Sequence, residues 1–295
     1  MSDKNIVCFG EVLWDLLPSG KIAGGAPMNV AVHANQLGLK ATMISTVGND
    51  ELGESIKSFL INRNLSIENI QTSHKYQTGI VEVILDEKGS PSYKIIKPVA
   101  WDFIEQTDLA KKAVQDADAL VFGSLALRNE VSKNTLLELQ SLAKLRVLDI
   151  NLRKPFYSPE LAKELFDIAD VVKVNDEELE MICAWYGQSG DEISNAKYLK
   201  NLYNLKGIIV TRGGNGAFFV DENDEFAEHP GFKVTVCDTI GSGDSFLASF
   251  ITKWLNGASA SKALKFACVV GAYVATQKGA TPIICEEDIL NLMNN

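Results

Sequence analysis

The run Asp238-Thr239-Ile240-Gly241-Ser242-Gly243-Asp244 leads directly into an apolar stretch over residues 245–250. Its two glycines carry no Cβ, so the backbone there can come close to a ligand. The stretch that follows reads as a helix, and the first N–H groups of a helix have no partner within it. Those amides and the helix dipole favour a negative group, phosphate above all. Asp244 then sits where a carboxylate can draw a proton from a hydroxyl attacking that phosphate. On this reading Gly241, Ser242, Gly243 and Asp244 are the reacting centre. An ordinary helix entry with an acidic first turn has the same residue types.

Other short runs have types and spacing that suit binding. Gly24-Gly25-Ala26-Pro27-Met28-Asn29 opens a helix over 27–37, with Pro27 in its first turn. Asn29 both donates and accepts, which suits a pair of hydroxyls. Asp15, just past the first strand, offers a carboxylate for two vicinal hydroxyls or is a turn residue. Asn175 and Glu178 are three apart and share a face on a helical turn. There they would steer phosphate oxygens and hold magnesium through water, or cap the helix. Thr211-Arg212-Gly213-Gly214-Asn215-Gly216 follows an apolar strand and would let a nucleotide lie against backbone, or turn a hairpin into 217–221. No Gly-Lys-Ser/Thr occurs, so this is not a Walker loop, and no dinucleotide fingerprint follows the first strand. Arg153, in Asp149-Ile150-Asn151-Leu152-Arg153, carries a planar cation suited to phosphate. Arg128 would take a related place in a sugar pocket; the alternative for either arginine is a salt-bridging surface residue.

The elements needed to position these residues alternate along the chain. Apolar strands are expected at 6–10, 41–47, 119–122, 146–150, 171–174 and 207–210, with helices at 27–37, 50–62 and between the later strands. Such alternation of continuous apolar strands with helices indicates a mostly parallel sheet covered on both faces. Every motif above falls just beyond a strand's carboxyl end, where ligands of such sheets bind. One region departs from the pattern. Residues 78–86 and 92–96 read as an antiparallel hairpin around a turn at 87–91, and residues 12–22 are extended and turn-rich. Together they suggest a small β-sheet projecting as a lid over about 11–23 and 76–100. Its apolar Val81, Val83 and Ile95 would suit a homodimer that pairs lids.

Composition narrows the class. The 295 residues are 46% hydrophobic, ample for a large core. A formal net charge of −10 and the lack of a Lys/Arg cluster speak against nucleic acid. No apolar run approaches a membrane span. The five cysteines are scattered, which argues for free, mostly buried thiols in a reducing compartment, and the three histidines have no metal-ligand spacing. A soluble, cytoplasmic protein is expected.

Taken in order, the motifs resemble the ribokinase-like (PfkB) carbohydrate kinase family. Gly24 to Asn29 looks like its first signature, Asp238 to Asp244 its second, and Asn175 with Glu178 its Asn-x-x-Glu element. The resemblance runs over nearly the whole chain and implies one α/β domain over 1–295, a three-layer ribokinase-like fold with a β-sheet lid. It implies that Asp244 is the base and that the amides of Gly241 to Gly243 form the anion hole. Asp15, Gly25, Asn29, Arg128 and Arg153 would grip the sugar. Asn175, Thr211, Gly213, Gly214, Gly216 and Gly243 would hold ATP, and Glu178 would serve magnesium. A monovalent cation such as potassium would sit on carbonyls of Asp238, Ile240, Val274 and Gly279, although Ile283 stands where a serine often completes that shell. Gly10 to Asp15, Phe122 to Arg128 and Asp149-x-Asn151-x-Arg153 look most like bacterial fructokinases. A 2-keto-3-deoxygluconate kinase, with Arg128 on the substrate carboxylate, is the nearest alternative. A catalytically silent sugar-binding relative is the alternative from another class.

Overall fold

The computed structural model describes residues 4–17, 20–85 and 91–294. In chain order the elements are β1 (Asn5–Phe9), β2 (Leu13–Leu17), β3 (Gly20–Gly24), α1 (Ala26–Gln36), β4 (Lys40–Gly48), α2 (Glu51–Asn62), β5 (Ile70–Ser73), β6 (Gly79–Leu85) and β7 (Pro91–Ile95). After them come α3 (Asp108–Asp116), β8 (Ala119–Gly123), α4 (Glu130–Leu139), β9 (Arg146–Asp149), α5 (Pro159–Asp167), β10 (Val171–Asn175), α6 (Asp176–Trp185) and α7 (Glu192–Leu202). The chain continues through β11 (Gly207–Thr211), β12 (Ala217–Asp221), β13 (Phe226–His229), α8 (Ser242–Leu255), α9 (Ala260–Ala275) and α10 (Glu286–Asn294).

The large sheet has the order β13-β12-β11-β10-β9-β8-β1-β4-β5. All neighbours from β11 to β5 are parallel, and among the described residues the antiparallel pairings of this sheet are β11 with β12 and β12 with β13, at one edge. The strand pleat decides which core each residue joins. In β1, Ile6 and Cys8 pack with α1, α2, α8 and α9, whereas Val7 and Phe9 pack with α3 to α7. Strands buried on both faces read as nearly continuous apolar runs, as these do apart from a few buried polar residues such as Ser45 and Lys173. The order reverses at β1, between β8 and β4, which opens a crevice at the carboxyl ends of the strands.

A second sheet, ordered β3-β2-β6-β7, stands apart from the first. Its β2 and β3 form a hairpin, β6 and β7 another, and β2 pairs with β6 in parallel. Of the turn expected at 87–91, residues 87–90 lie outside the described residues and Pro91 begins β7; the side chains of Val83 and Tyr93 also lie outside them. Val81 is 5% exposed and Ile95 half-buried, and both line a cavity beneath the sheet. The expectation that they are exposed and available for pairing lids is therefore corrected: their apolar surface is used inward.

Strands β5 and β13 were not expected. Each has four residues and sits at a sheet edge, where half of the backbone pairing is absent and the apolar signal is weak. Three cysteines are buried, but Cys237 and Cys285 are exposed, and all five are free. His33 is fully buried, with Nε2 2.9 Å from the carbonyl of Ala280. Among the described residues no helix is long and apolar enough to cross a membrane.

Candidate active site

Two cavities lie end to end along the crevice. One, of about 520 Å³, lies between the small sheet and the strand ends and is lined by Asp15, Gly25, Asn29, Arg153 and Asp244 among others. The other, of about 400 Å³, is lined by Gly213, Gly214, Gly216, Val234, Phe246 and Ala275 among others. Asn175, Thr211, Thr239 and Gly243 line both, so the cavities share a wall at the start of α8.

The local geometry of that wall follows from its glycines. Gly241 is the N-cap of α8 with φ +78°, and a Cβ there would fall 2.1 Å from the carbonyl oxygen of Ala280. No larger residue fits both the left-handed backbone and that contact. Gly25 caps α1 with φ +119°, and its Cβ would lie 2.3 Å from the carbonyl of Glu11. No side chain caps α8, which leaves its first-turn amides open toward an anion. Ser242 is the exception. Its amide donates to Thr239 O at 3.2 Å and its hydroxyl to Gly271 O at 2.9 Å. The expected role for its donors is therefore corrected, and the free amides of the first turn are those of Gly243 and Asp244.

Asp244 is half-buried, and Asn29 Nδ2 donates to its Oδ2 at 2.7 Å. Burial raises its pKa to about 6, and the charge of Asp149 pushes the same way; the Asn29 bond, Lys173 and Arg153 oppose them. Asp15 is also raised to about 6 by burial, against the pull of Arg153.

Behind Asp244 lies an ion pair that was not expected from the sequence, although Asp149 stands in the Asp149-x-Asn151-x-Arg153 run. Lys173 and Asp149 are register partners on β10 and β9, both buried, and the ammonium donates to both carboxylate oxygens at 2.8 and 2.9 Å. A Cβ on Gly243 would lie 3.5 Å from Lys173 Nζ, so the cation sits under the open end of α8. Burial alone would disfavour the lysine's charge, but Asp149 and Glu178 hold its pKa above the usual value. The available signal was a lysine inside the apolar run 171–174 beside an aspartate ending the neighbouring strand. Glu11 and Asn151 also line the cavity; Asn151 was named from the sequence only as part of the Asp149-x-Asn151-x-Arg153 run, and neither residue was given a role.

Asn175 and Glu178 form a reciprocal cap on α6. Asn175 Oδ1 accepts from Glu178 N at 2.7 Å, and Glu178 Oε2 accepts from Asn175 N at 2.9 Å. Glu178 Oε1 accepts from Leu152 N at 2.8 Å, which fastens the loop after β9 to the same corner. Thr211 ends β11, and the turn after it closes a hairpin with Arg212 N donating to Gly216 O at 2.8 Å. Asp238 accepts from Ile240 N at 3.0 Å and from Gly279 N at 3.2 Å, joining the two segments expected to carry cation ligands. The Val274 carbonyl already accepts from Gln277 N at 2.9 Å.

Arg128 is corrected outright. Its side chain is 2% exposed, and Nε and Nη2 bind the two oxygens of buried Asp102 at 2.6 and 3.0 Å. Nη2 also donates to Ile96 O at 2.6 Å, and the guanidinium lies over the Trp101 ring. It lines neither cavity. A guanidinium fork matched to a carboxylate at this depth is a structural tie.

The model of the pfkB family carbohydrate kinases matches residues 4–287. The chain belongs to that family. This pfkB carbohydrate kinase is 31% identical to the probable fructokinase-7 of Arabidopsis thaliana, over 97% of this chain and 91% of the relative. It is 31% identical to fructokinase-2 of Solanum lycopersicum, over 95% and 92%. Among solved structures, a double mutant of fructokinase from Vibrio cholerae O395 in its fructose, ADP and potassium ion bound form matches with TM-score 0.85, 25% identity and 99% of each chain. Fructokinase from Xylella fastidiosa with bound ATP shares the fold at TM-score 0.84 and 23% identity, also over 99% of each chain.

Proposed function

We propose that this pfkB-family kinase is an ATP-dependent fructokinase that phosphorylates the 6-hydroxyl of fructose. The observation that carries the reading is the shared wall of the two cavities, with Asp244 and the open start of α8 at their junction. The larger cavity takes the sugar, on Asp15, Gly25, Asn29 and Arg153. The smaller takes the nucleotide, against Thr211, Gly213, Gly214 and Gly216, with its phosphates reaching Asn175 and Gly243. Asp244 accepts the proton of the 6-hydroxyl as its oxygen bonds to the γ-phosphorus. The bond to the bridging oxygen breaks, and ADP leaves. Gly241 and the Gly243 amide lie where charge grows on the transferring group, and donors fixed in advance there stabilise the transition state. The small sheet acts as a lid that excludes water.

The corner at Glu178 fits magnesium held through water, since that ion keeps several waters and needs few protein carboxylates beside the phosphates. Bound there, it would neutralise phosphate charge. Carbonyls of Asp238, Ile240, Val274 and Gly279 would hold a monovalent cation beside the anion hole; the Ile283 side chain is 75% exposed and offers that shell no oxygen. The fructokinase names of the relatives support the choice of sugar. Engagement of Arg128 by Asp102 removes the cation that a 2-keto-3-deoxygluconate carboxylate was expected to use.

The test is ATP-to-ADP turnover with magnesium over fructose, 2-keto-3-deoxygluconate, tagatose, ribose and adenosine, with and without potassium. The phosphorylated position is then read by NMR. Preference for fructose with product at the 6-position is expected, and preference for the keto-acid overturns the sugar assignment. Tight sugar binding without turnover would make the protein a silent relative.

A further inference from the structure

The loop after β1 holds a carboxylate that the transfer chemistry leaves unused. Glu11 is 3% exposed and lines the same cavity as Asp244. Its Oε1 accepts from the N–H of Ala26, the first residue of α1, at 3.2 Å. Its Oε2 is buried without a hydrogen-bond partner. Asn29 lies three residues beyond Ala26 on the same helix face. It is 4% exposed, lines that cavity and donates its amide to Asp244, while its own Oδ1 is also buried and unpartnered.

Each buried oxygen without a donor is costly, and Glu11 is tied to the first residue of the helical turn that carries Asn29, so a proton on Glu11 would serve both. We propose that Glu11 is a positioning residue: held as a neutral carboxylic acid, it donates its proton to Asn29 Oδ1 and so fixes the amide that donates to Asp244. Without a donor on Oδ1, only the bond to Asp244 holds the Asn29 amide, and an ionised Glu11 would compete for its N–H as a second acceptor. The surroundings agree with this. Burial raises the Glu11 pKa to about 7; the amides of Glu11 and Ala26 pull it down, Asp244 on α8 pushes it up, and Arg153 after β9 pulls it down. Asp15 on β2, the Lys173–Asp149 pair of β10 and β9, Lys154 after β9 and Glu178 on α6 complete the charged groups lining that cavity.

The effect on turnover rests on the kinase reading, whereas the protonation does not. The first readout therefore uses the ligand-free protein: an infrared difference spectrum, wild type minus E11Q, followed from acid to alkaline pH. A protonated-carboxyl band that fades with a midpoint near about 7 is expected. A Glu11 carboxylate already ionised at about pH 5, within the ordinary glutamate range, overturns the proposal. The second readout is the pH profile of kcat for fructose. Glu11→Ala should lower kcat roughly tenfold with KM little changed, a modest loss beside that expected for a general base. Glu11→Gln keeps the acceptor for Ala26 and supplies a permanent donor to Asn29. It should restore most of that loss and abolish the alkaline fall of the wild type. Equal losses in both variants with a retained alkaline fall would mean that Glu11 is only structural, and E11Q decides the point if E11A does not fold. Absence of turnover in the wild type refutes the kinase reading instead, and the spectrum still decides the state of Glu11.

Discussion

At the scale of single residues the account turns on how Asp244 is kept available as a base. Its pKa of about 6 means that the carboxylate is ionised above that pH and protonated below it. A protonated carboxyl cannot accept the sugar's proton, so kcat should fall as pH drops through about 6, measured at saturating substrates. The neighbours then shift that limb in opposite directions. Lys173 lowers the Asp244 pKa, so Lys173→Met should move the limb upward. Asp149 raises it, so Asp149→Asn should move the limb downward. Shifts of the same sign in both variants would contradict the arrangement. These two residues were hard to find in the sequence because they are 24 positions apart and meet only through strand register. Asp244 and Asn29 were legible as cavity residues because each follows glycines at a helix start, whereas Asp15, expected just past the first strand, lies in the middle of β2.

At the scale of elements, the buried Arg128–Asp102 pair ties the end of β7 to the turn over Ala100–Phe103, through Ile96 O and both carboxylate oxygens. Arg128→Met would strand a buried carboxylate, and breaking such a pair costs about 3–5 kcal/mol. Urea unfolding should report a loss of that order, while KM for fructose stays within about twofold, because a residue that makes no ground-state contact leaves substrate binding unchanged. A large rise in KM with little loss of stability would return Arg128 to the sugar pocket. The sequence could not decide between those roles, since the partner lies 26 residues away. The strand and helix alternation was readable because both faces of the parallel strands are apolar. The edge strands β5 and β13 were not, because short edge segments lack that signature.

At the scale of the whole molecule, the proposed reaction brings sugar and nucleotide together where the large sheet changes strand order, with the small sheet beside the larger cavity. If that sheet closes on substrate, fructose with ADP should slow backbone hydrogen exchange in β2, β3 and β6 while leaving α4 and α5 unchanged. Equal exchange with and without ligands would remove the lid from the mechanism. The separate small sheet was visible in the sequence as one departure from the α/β alternation. The inward use of Val81 and Ile95 was not, because a strand's own pattern does not say which face is covered. The most direct measurement compares wild type with Asp244→Asn for ATP-dependent phosphorylation of fructose, with sugar affinity taken by calorimetry on the same samples. The account predicts sugar binding kept within a few-fold and turnover lowered by a factor on the order of 10² or more, as expected when a general base is lost. Near-normal turnover in the variant would contradict it.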